Sequence, residues 1–547
     1  MVGRVDHHRA ALNRCLPRRL RIALFGAPAA FLLIFYVWPV LTLLAEVADS
    51  TDIARTLTRR GLGDVIWFTA WQAVISTAAT VVIGLGPTYL LSRWQFRGRR
   101  LLAAAVTVPF LLPTVVVGAA FTSLLPERFE QTVVAVIAAH VFFNVAVVVR
   151  VVGAVWKQLP NDLTAAALTL GATPWQAMCR VTLPLLRPAI TAAATITFLF
   201  TFTSFGVVQI LGGPRHPTIE VEIARRATQL GDVAGAAVLS VLQLMILVLL
   251  VVVSAHVQRR ARPLSLRRLA AREAGTRRQR IGVLSGAAAT AALVIVPLGA
   301  LALGSIRIGG RWTIAPWTTL GDPAVRPGVS LPVDPLGSIR TSLGFALTAT
   351  AISLAIGALA ALAIAGSRRG GRIMDLGVML PLGTSAVTIG FGMLISFDRA
   401  PVDWRGEPWL VPVGHALVAT PFVVRTVLPV LRSRPPGLID AAATLGATPV
   451  RGWWEIDVHM LGRPMVAAAG FAMAISLGEF GATTFLSRAG TDTMPLAIGG
   501  LLGRAGALPH AQAAALAVML AAMTLVMLLV IDLADTDRAG REQVEGR

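Results

Sequence analysis

The chain has 547 residues, 55% of them hydrophobic and only 14% charged, yet it carries a formal net charge of +21. A soluble domain carries about 25% charged residues, so this composition excludes a soluble fold, a disordered chain and a nucleic-acid binder with its basic excess on a polar background. Two cysteines, Cys15 and Cys179, exclude a disulfide framework and a thiolate metal cluster.

A helix needs roughly 20 apolar residues to cross about 30 Å of hydrocarbon. Charge-free runs of that order occupy 22–45, 65–92, 101–126, 131–149, 188–214, 233–258, 281–306, 341–367, 376–397, 408–424 and 505–531. A further segment, 464–487, is interrupted by Glu479 and reads as one helix through it, giving twelve spans. The basic tail before the first run (Arg4 to Arg21) resembles a secretory leader, but the run exceeds an h-region of about 7–15 residues and more spans follow. The expected fold is therefore all-α, a polytopic bundle whose Gly, Ala and Val content predicts close helix packing.

The chain also repeats itself. Leu163–Pro174 (LTAAALTLGATP) and Leu438–Pro449 (LIDAAATLGATP) agree at nine of twelve positions with an offset of 275. The same offset relates His140 to His415, Arg150 to Arg425, and Phe205-Gly206 to Phe480-Gly481. Fixed-period self-similarity marks a duplicated architecture. The expected organisation is a basic tail (1–21), a first half (22–257), a basic linker (258–280), a second half (281–531) and a C-terminal tail (532–547). Six spans per half make the repeat parallel rather than inverted, which places equivalent loops on one face.

The repeated loops, 157–188 and 432–464, have readable local chemistry. Asp440 opens an Ala-rich helix, where an acid suits the positive dipole end. Gly446 follows where a left-handed helix terminus prefers glycine. Thr448-Pro449 then supplies an N-cap hydroxyl and a first-turn proline. Gly171, Thr173 and Pro174 repeat this in the first copy, so each copy predicts a helix, an elbow and a second helix at the membrane surface. Duplicated small-residue elbows on one face suit a partner with two equivalent sites.

These segments resemble the EAA loop of ABC-importer membrane subunits. The first copy supplies Ala165, Ala166, Ala167, then Gly171, then Val181-Thr182-Leu183-Pro184; the second supplies Asp440, Ala441, Ala442, then Gly446, then Ile456-Asp457-Val458-His459. Ala165 stands where the pattern has an acid, and Val458-His459 where it has Leu-Pro. The chain as a whole resembles two fused permease halves of the iron(III) and thiamine type, and Ser476–Thr483 resembles the corresponding helix of molybdate permeases. The resemblance implies a multi-pass subunit of a bacterial plasma membrane. It also implies two ATPase subunits docked on the loops, an extracytoplasmic solute-binding protein, and no cofactor, metal or nucleic acid.

The residues exclude several other activities. A phosphate-binding loop needs Gly-Lys-Ser/Thr, and the sole lysine, Lys157, follows Trp156, so the energy of ATP has to enter through a partner. None of the eight histidines forms HExxH; His7 and His8 lie in the basic tail. Glu479 is the one acid inside an expected span, where a charge normally faces protein or a water-filled cavity. Two readings stand for it: a hydrogen-bonded group within the bundle, or part of a translocation path favouring cationic cargo. Ser204 is its counterpart.

His140 and His415 sit symmetrically in the fourth spans, with Asn144 one turn beyond His140. Hydrogen bonding between helices is the commoner use of such residues, and flanking a path is the alternative. Arg150 and Arg425 are expected to end those spans at the headgroups. Pro109 to Gly118 and Pro381 to Gly390 share a nine-residue spacing in which proline interrupts the helical ladder, read either as a kink near a pore or as simple packing, and segment 307–340 is a long loop on the outer side. A gradient-driven secondary transporter is the competing class, but it leaves the elbows without a role. With both termini cytoplasmic, the basic excess falls on the tails, linker and elbow loops, which is the positive-inside pattern.

Overall fold

The computed structural model describes residues 18–49, 61–259, 272–321, 324–326, 329–330, 334–367, 369–399, 402–433 and 438–545. Most of the basic tail, with His7, His8 and Cys15, and most of the linker lie outside the described residues. Apolar runs become helices because hydrocarbon offers the backbone no hydrogen-bond partner. Among the described residues ten helices are long and apolar enough to cross a membrane, and the number is twelve if each of two bent helix pairs is one span. The strands among the described residues are four isolated pairs of two or three residues each. One of them ties Trp94-Gln95, after the second span, to Arg272-Glu273 at the linker's end.

Both third spans are broken. Arg99–Leu111 meets Thr114–Leu124 at 105°, and Arg369–Gly383 meets Ala386–Ser396 at 100°. Pro109 and Pro381 stand at or just before each break, and the chain turns at Leu112-Pro113 and Thr384-Ser385, where φ/ψ is extended. The shared proline spacing thus marked a real discontinuity, displaced a few residues toward the glycine.

The fifth spans differ from the sequence expectation. Segment 464–487 is not one helix: Gly462–Gly478 ends, Glu479 is extended, and a short helix Thr483–Leu486 follows. In the first half Leu183–Phe202 ends likewise, Ser204 lies in the break, and Gly206–Leu211 restarts. The apolar run continues through both breaks, so hydropathy gives no sign of them. The fourth spans also run further than expected, Val133–Trp156 and Leu410–Arg432, so Arg150 and Arg425 lie within helices rather than at their ends. Arg425 pairs with Asp375 at 3.3 Å instead of serving only as an anchor.

The largest apolar core draws on both halves, combining Val115, Phe121, Phe205 and Ile219 with Val387, Phe391, Phe480 and Met494. Small residues let broken segments pack into it. A Cβ at Gly390 would lie 2.6 Å from the Ala482 backbone, and one at Gly118 would lie 2.7 Å from Ile210. These are the two glycines of the Pro–Gly spacing, one in each half.

Candidate functional site

Each elbow is built as its residues dictate. Asn161–Thr169 ends in a double hydrogen-bonded turn, with Ala172 N–H donating to Ala167 O at 3.0 Å and Gly171 N–H to Leu168 O at 3.1 Å. Leu438–Thr444 ends identically, through Ala447 to Ala442 at 2.9 Å and Gly446 to Ala443 at 3.0 Å. Gly171 and Gly446 have φ of +86° and +84°, a region that a side chain disfavours. Thr173 then caps the next helix, accepting from Gln176 N–H while Gln176 Oε1 accepts from Thr173 N–H, with Pro174 at the first position. Thr448 accepts from Arg451 N–H, again ahead of Pro449.

The elbow tips are apolar and open. Leu170 is 87% exposed and Leu445 89%, flanked by exposed Trp175 and Leu163 in one copy and by Trp454 and Val450 in the other. Ala165 and Ala166 are exposed beside the first tip, and Ala441 beside the second; Ala167 and Ala442 are half-buried. The second helix of each elbow is not a separate surface helix but the start of the long helices Pro174–Phe202 and Val450–Gly478. The Leu170 and Leu445 tips therefore stand just before the fifth spans, and exposed apolar tips of this kind mark a contact surface.

At the far side of the bundle the sequence-selected polar residues come together in pairs. His140 Nε2 lies 2.9 Å from Ser204 Oγ, and its Nδ1 lies 3.3 Å from Ser76 Oγ. Asn144 turns back to donate to the His140 carbonyl. In the second half His415 Nδ1 is 2.7 Å from Ser476 Oγ and Nε2 is 2.8 Å from Thr483 Oγ1. Glu479 Oε2 lies 3.5 Å from His415 Nε2. At a rise of 1.5 Å per residue, both histidines sit roughly 8–10 Å inside the far ends of their helices.

Glu479 is 7% exposed and its carboxylate is fully engaged. Oε1 accepts from Ala482 N–H at 2.9 Å, and Oε2 accepts from Thr483 N–H at 2.9 Å and from its hydroxyl at 2.6 Å. The acid therefore caps the short helix that its own position interrupts. With the Thr483 proton directed at the carboxylate, Thr483 Oγ1 accepts from His415 Nε2–H and Ser476 donates to Nδ1, giving one continuous chain. Glu479→Ala is expected to lower stability by about 3 kcal/mol, since it orphans two buried amides and a hydroxyl, and Glu479→Gln by less. Unfolding in detergent measures this; an unchanged midpoint for the alanine variant contradicts the capping role.

Between the two clusters lie residues that the sequence marked only as repeated. Phe205 and Phe480 are each 7% exposed, and their ring centroids are 5.1 Å apart. Being equivalent positions, they meet where the two halves meet. Gly206 makes room for the contact, because a Cβ there would collide with Thr114 and come within 3.3 Å of the Phe480 ring. Pro113, at the first half's break, packs 3.2 Å from the Cβ position of Gly478.

Glu479 is also not the only buried acid. Glu220, fully buried on helix Ile219–Thr228, accepts from Ser385 Oγ of the other half at 2.7 Å and from Gln243. Glu222 binds Arg225 and Arg226, each at 2.8 Å. Burial alone would raise its carboxyl, and the two guanidiniums overcome this and hold it below the usual carboxylate range. The sequence signal for Glu222 was its spacing from Arg225 and Arg226, three and four residues, which fits one helix turn; Glu220 lacks that spacing.

Two like sets of spans, paired broken helices and twin elbows define a polytopic membrane protein of duplicated design. The family described as "binding-protein-dependent transport system inner membrane component" matches residues 80–263. The thiamine transport system permease protein ThiP of Brucella suis is 25% identical over 534 residues, covering 91% of this chain and 94% of that protein. ThiP of Escherichia coli is 24% identical, covering 79% and 82%. The sulfate transport system permease protein CysT of Escherichia coli is 30% identical over 203 residues, 34% of this chain and 73% of that protein. The chain belongs to this family, and is a multi-pass inner-membrane permease of the ABC transporter class.

Proposed function

We propose that the chain is the translocation subunit of an ATP-driven importer, with halves bounded near 22–257 and 281–531 and both termini cytoplasmic. Two ATPase subunits dock on the elbows, one at Ala165, Ala166, Ala167, Gly171, Thr173 and Pro174, the other at Asp440, Ala441, Ala442, Gly446, Thr448 and Pro449. A solute-binding protein delivers cargo at the opposite face. The observation that carries this reading is the matched pair of tips, Leu170 and Leu445, exposed to the same degree at the end of two identically hydrogen-bonded turns. A gradient-driven transporter has no use for them.

The path runs between the halves, past His140 and Ser204 on one side and His415 and Glu479 on the other, and the Phe205–Phe480 contact closes it toward the outer face. Relatives aligned over 91% of the chain are thiamine permeases, whereas a relative covering 83% is described only as a probable ABC transporter permease and the sulfate permease covers 34%. A cationic, thiamine-like organic solute is therefore favoured over iron(III) or an oxyanion. Basal ATP hydrolysis by the partner ATPase, reconstituted with this chain, is expected to rise on adding thiamine-loaded binding protein. No stimulation in the complete assembly contradicts the proposal.

A further inference from the structure

An apolar groove of about 520 Å³ separates helix Leu62–Arg93 from helix Arg277–Gly304. Ile83, Leu90, Val283 and Leu293 supply its walls, and Gly86 and Gly282 line it where a Cβ would meet nothing within 4 Å. Only 22% of the apolar window of Arg277–Gly304 is buried in the protein, which leaves most of this helix to the surrounding hydrocarbon. The groove follows helix residues 279 to 293, a length of roughly 20 Å at 1.5 Å per residue, enough for an acyl chain crossing one leaflet of about 15 Å.

Its end lies on the elbow side, where Trp94 and Gln279 complete the lining. Gln279 is flanked by Arg277, Arg278 and Arg280, all exposed. From residue 272 to 304 the single acid is Glu273, so this rim is strongly positive.

We propose that the groove holds one anionic phospholipid of the elbow-side leaflet, with its acyl chain against Gly86 and Gly282 and its headgroup at Arg277, Arg278 and Arg280. The occupant is a membrane lipid rather than free phosphate, because the apolar length of the groove needs a chain to fill it. The lipid bridges the first half's second span and the second half's first span, whose near ends are tied by the pairing of Trp94-Gln95 with Arg272-Glu273.

The test uses the full chain in nanodiscs of phosphatidylglycerol and phosphatidylethanolamine. Phosphatidylglycerol with a photoreactive acyl chain is expected to label residues 83–94 and 279–293; labelling spread evenly over the lipid-facing helices overturns the site. Native mass spectrometry of the detergent-extracted chain should show retained phosphatidylglycerol, lost in Gly86→Leu/Gly282→Leu, at two positions where an added Cβ meets nothing within 4 Å. Retention of the same lipid by that variant overturns the proposal. Arg277→Gln/Arg278→Gln/Arg280→Gln should weaken phosphatidylglycerol about fivefold per arginine removed and leave phosphatidylethanolamine unchanged. An unaltered preference overturns the headgroup assignment.

Discussion

Replacing Gly171 and Gly446 together by valine is expected to release the ATPase subunits while leaving the membrane bundle folded. Both glycines hold φ near +85°, where an L-residue costs roughly 1–2 kcal/mol and a β-branched one more. The space around them is empty, with no atom within 4 Å of either Cβ position. The effect is therefore one of backbone direction: relaxing φ re-aims Thr173-Pro174 and Thr448-Pro449 and displaces the Leu170 and Leu445 tips. Asparagine tolerates left-handed geometry better, so the double asparagine variant should retain much of the binding. Co-purification with the ATPase reads both variants. An ATPase that stays on the double valine variant contradicts docking at the elbows.

Truncating the aromatic contact is expected to open the permease. Phe205→Ala/Phe480→Ala removes two buried rings that touch across the halves, and each truncation in a packed core costs about 3–5 kcal/mol. Vesicles carrying this variant should leak radiolabelled thiamine without ATP. Leucine at both positions conserves more of the volume and should keep the vesicles sealed, which separates a lost closure from a general loss of folding. Tight vesicles with the alanine pair contradict the assignment of this contact as the closure.

The sequence carried the elbows almost completely, because their geometry is local: Gly446 sets a left-handed turn and Thr448-Pro449 starts a helix wherever the rest of the chain lies. The repeat carried the pairing of His140 with His415 and of Ser204 with Glu479. The breaks at 203–205 and 479–481 were illegible, because Phe, Gly, Ala and Thr are as apolar in a broken segment as in a straight span. Glu479 was the only clue, and its capping partners, Ala482 and Thr483, lie only three and four residues on, a local pattern hidden by the apolar run around it. Glu220 was missed for a related reason. Its helix is charged enough to read as an outer loop, yet it folds back so that Ser385 of the other half reaches its carboxylate. Phe205 and Phe480 stood out as repeated residues, but repetition says nothing of where a pair meets.

Proteoliposomes holding the chain, its partner ATPase and its binding protein, with radiolabelled thiamine outside and ATP inside, test the central claim most directly. Uptake is predicted to need all three proteins and internal ATP, to persist when ionophores collapse the ion gradients, and to stop when the elbows carry the double valine replacement. Uptake by the chain alone, driven by an imposed ion gradient, would contradict it.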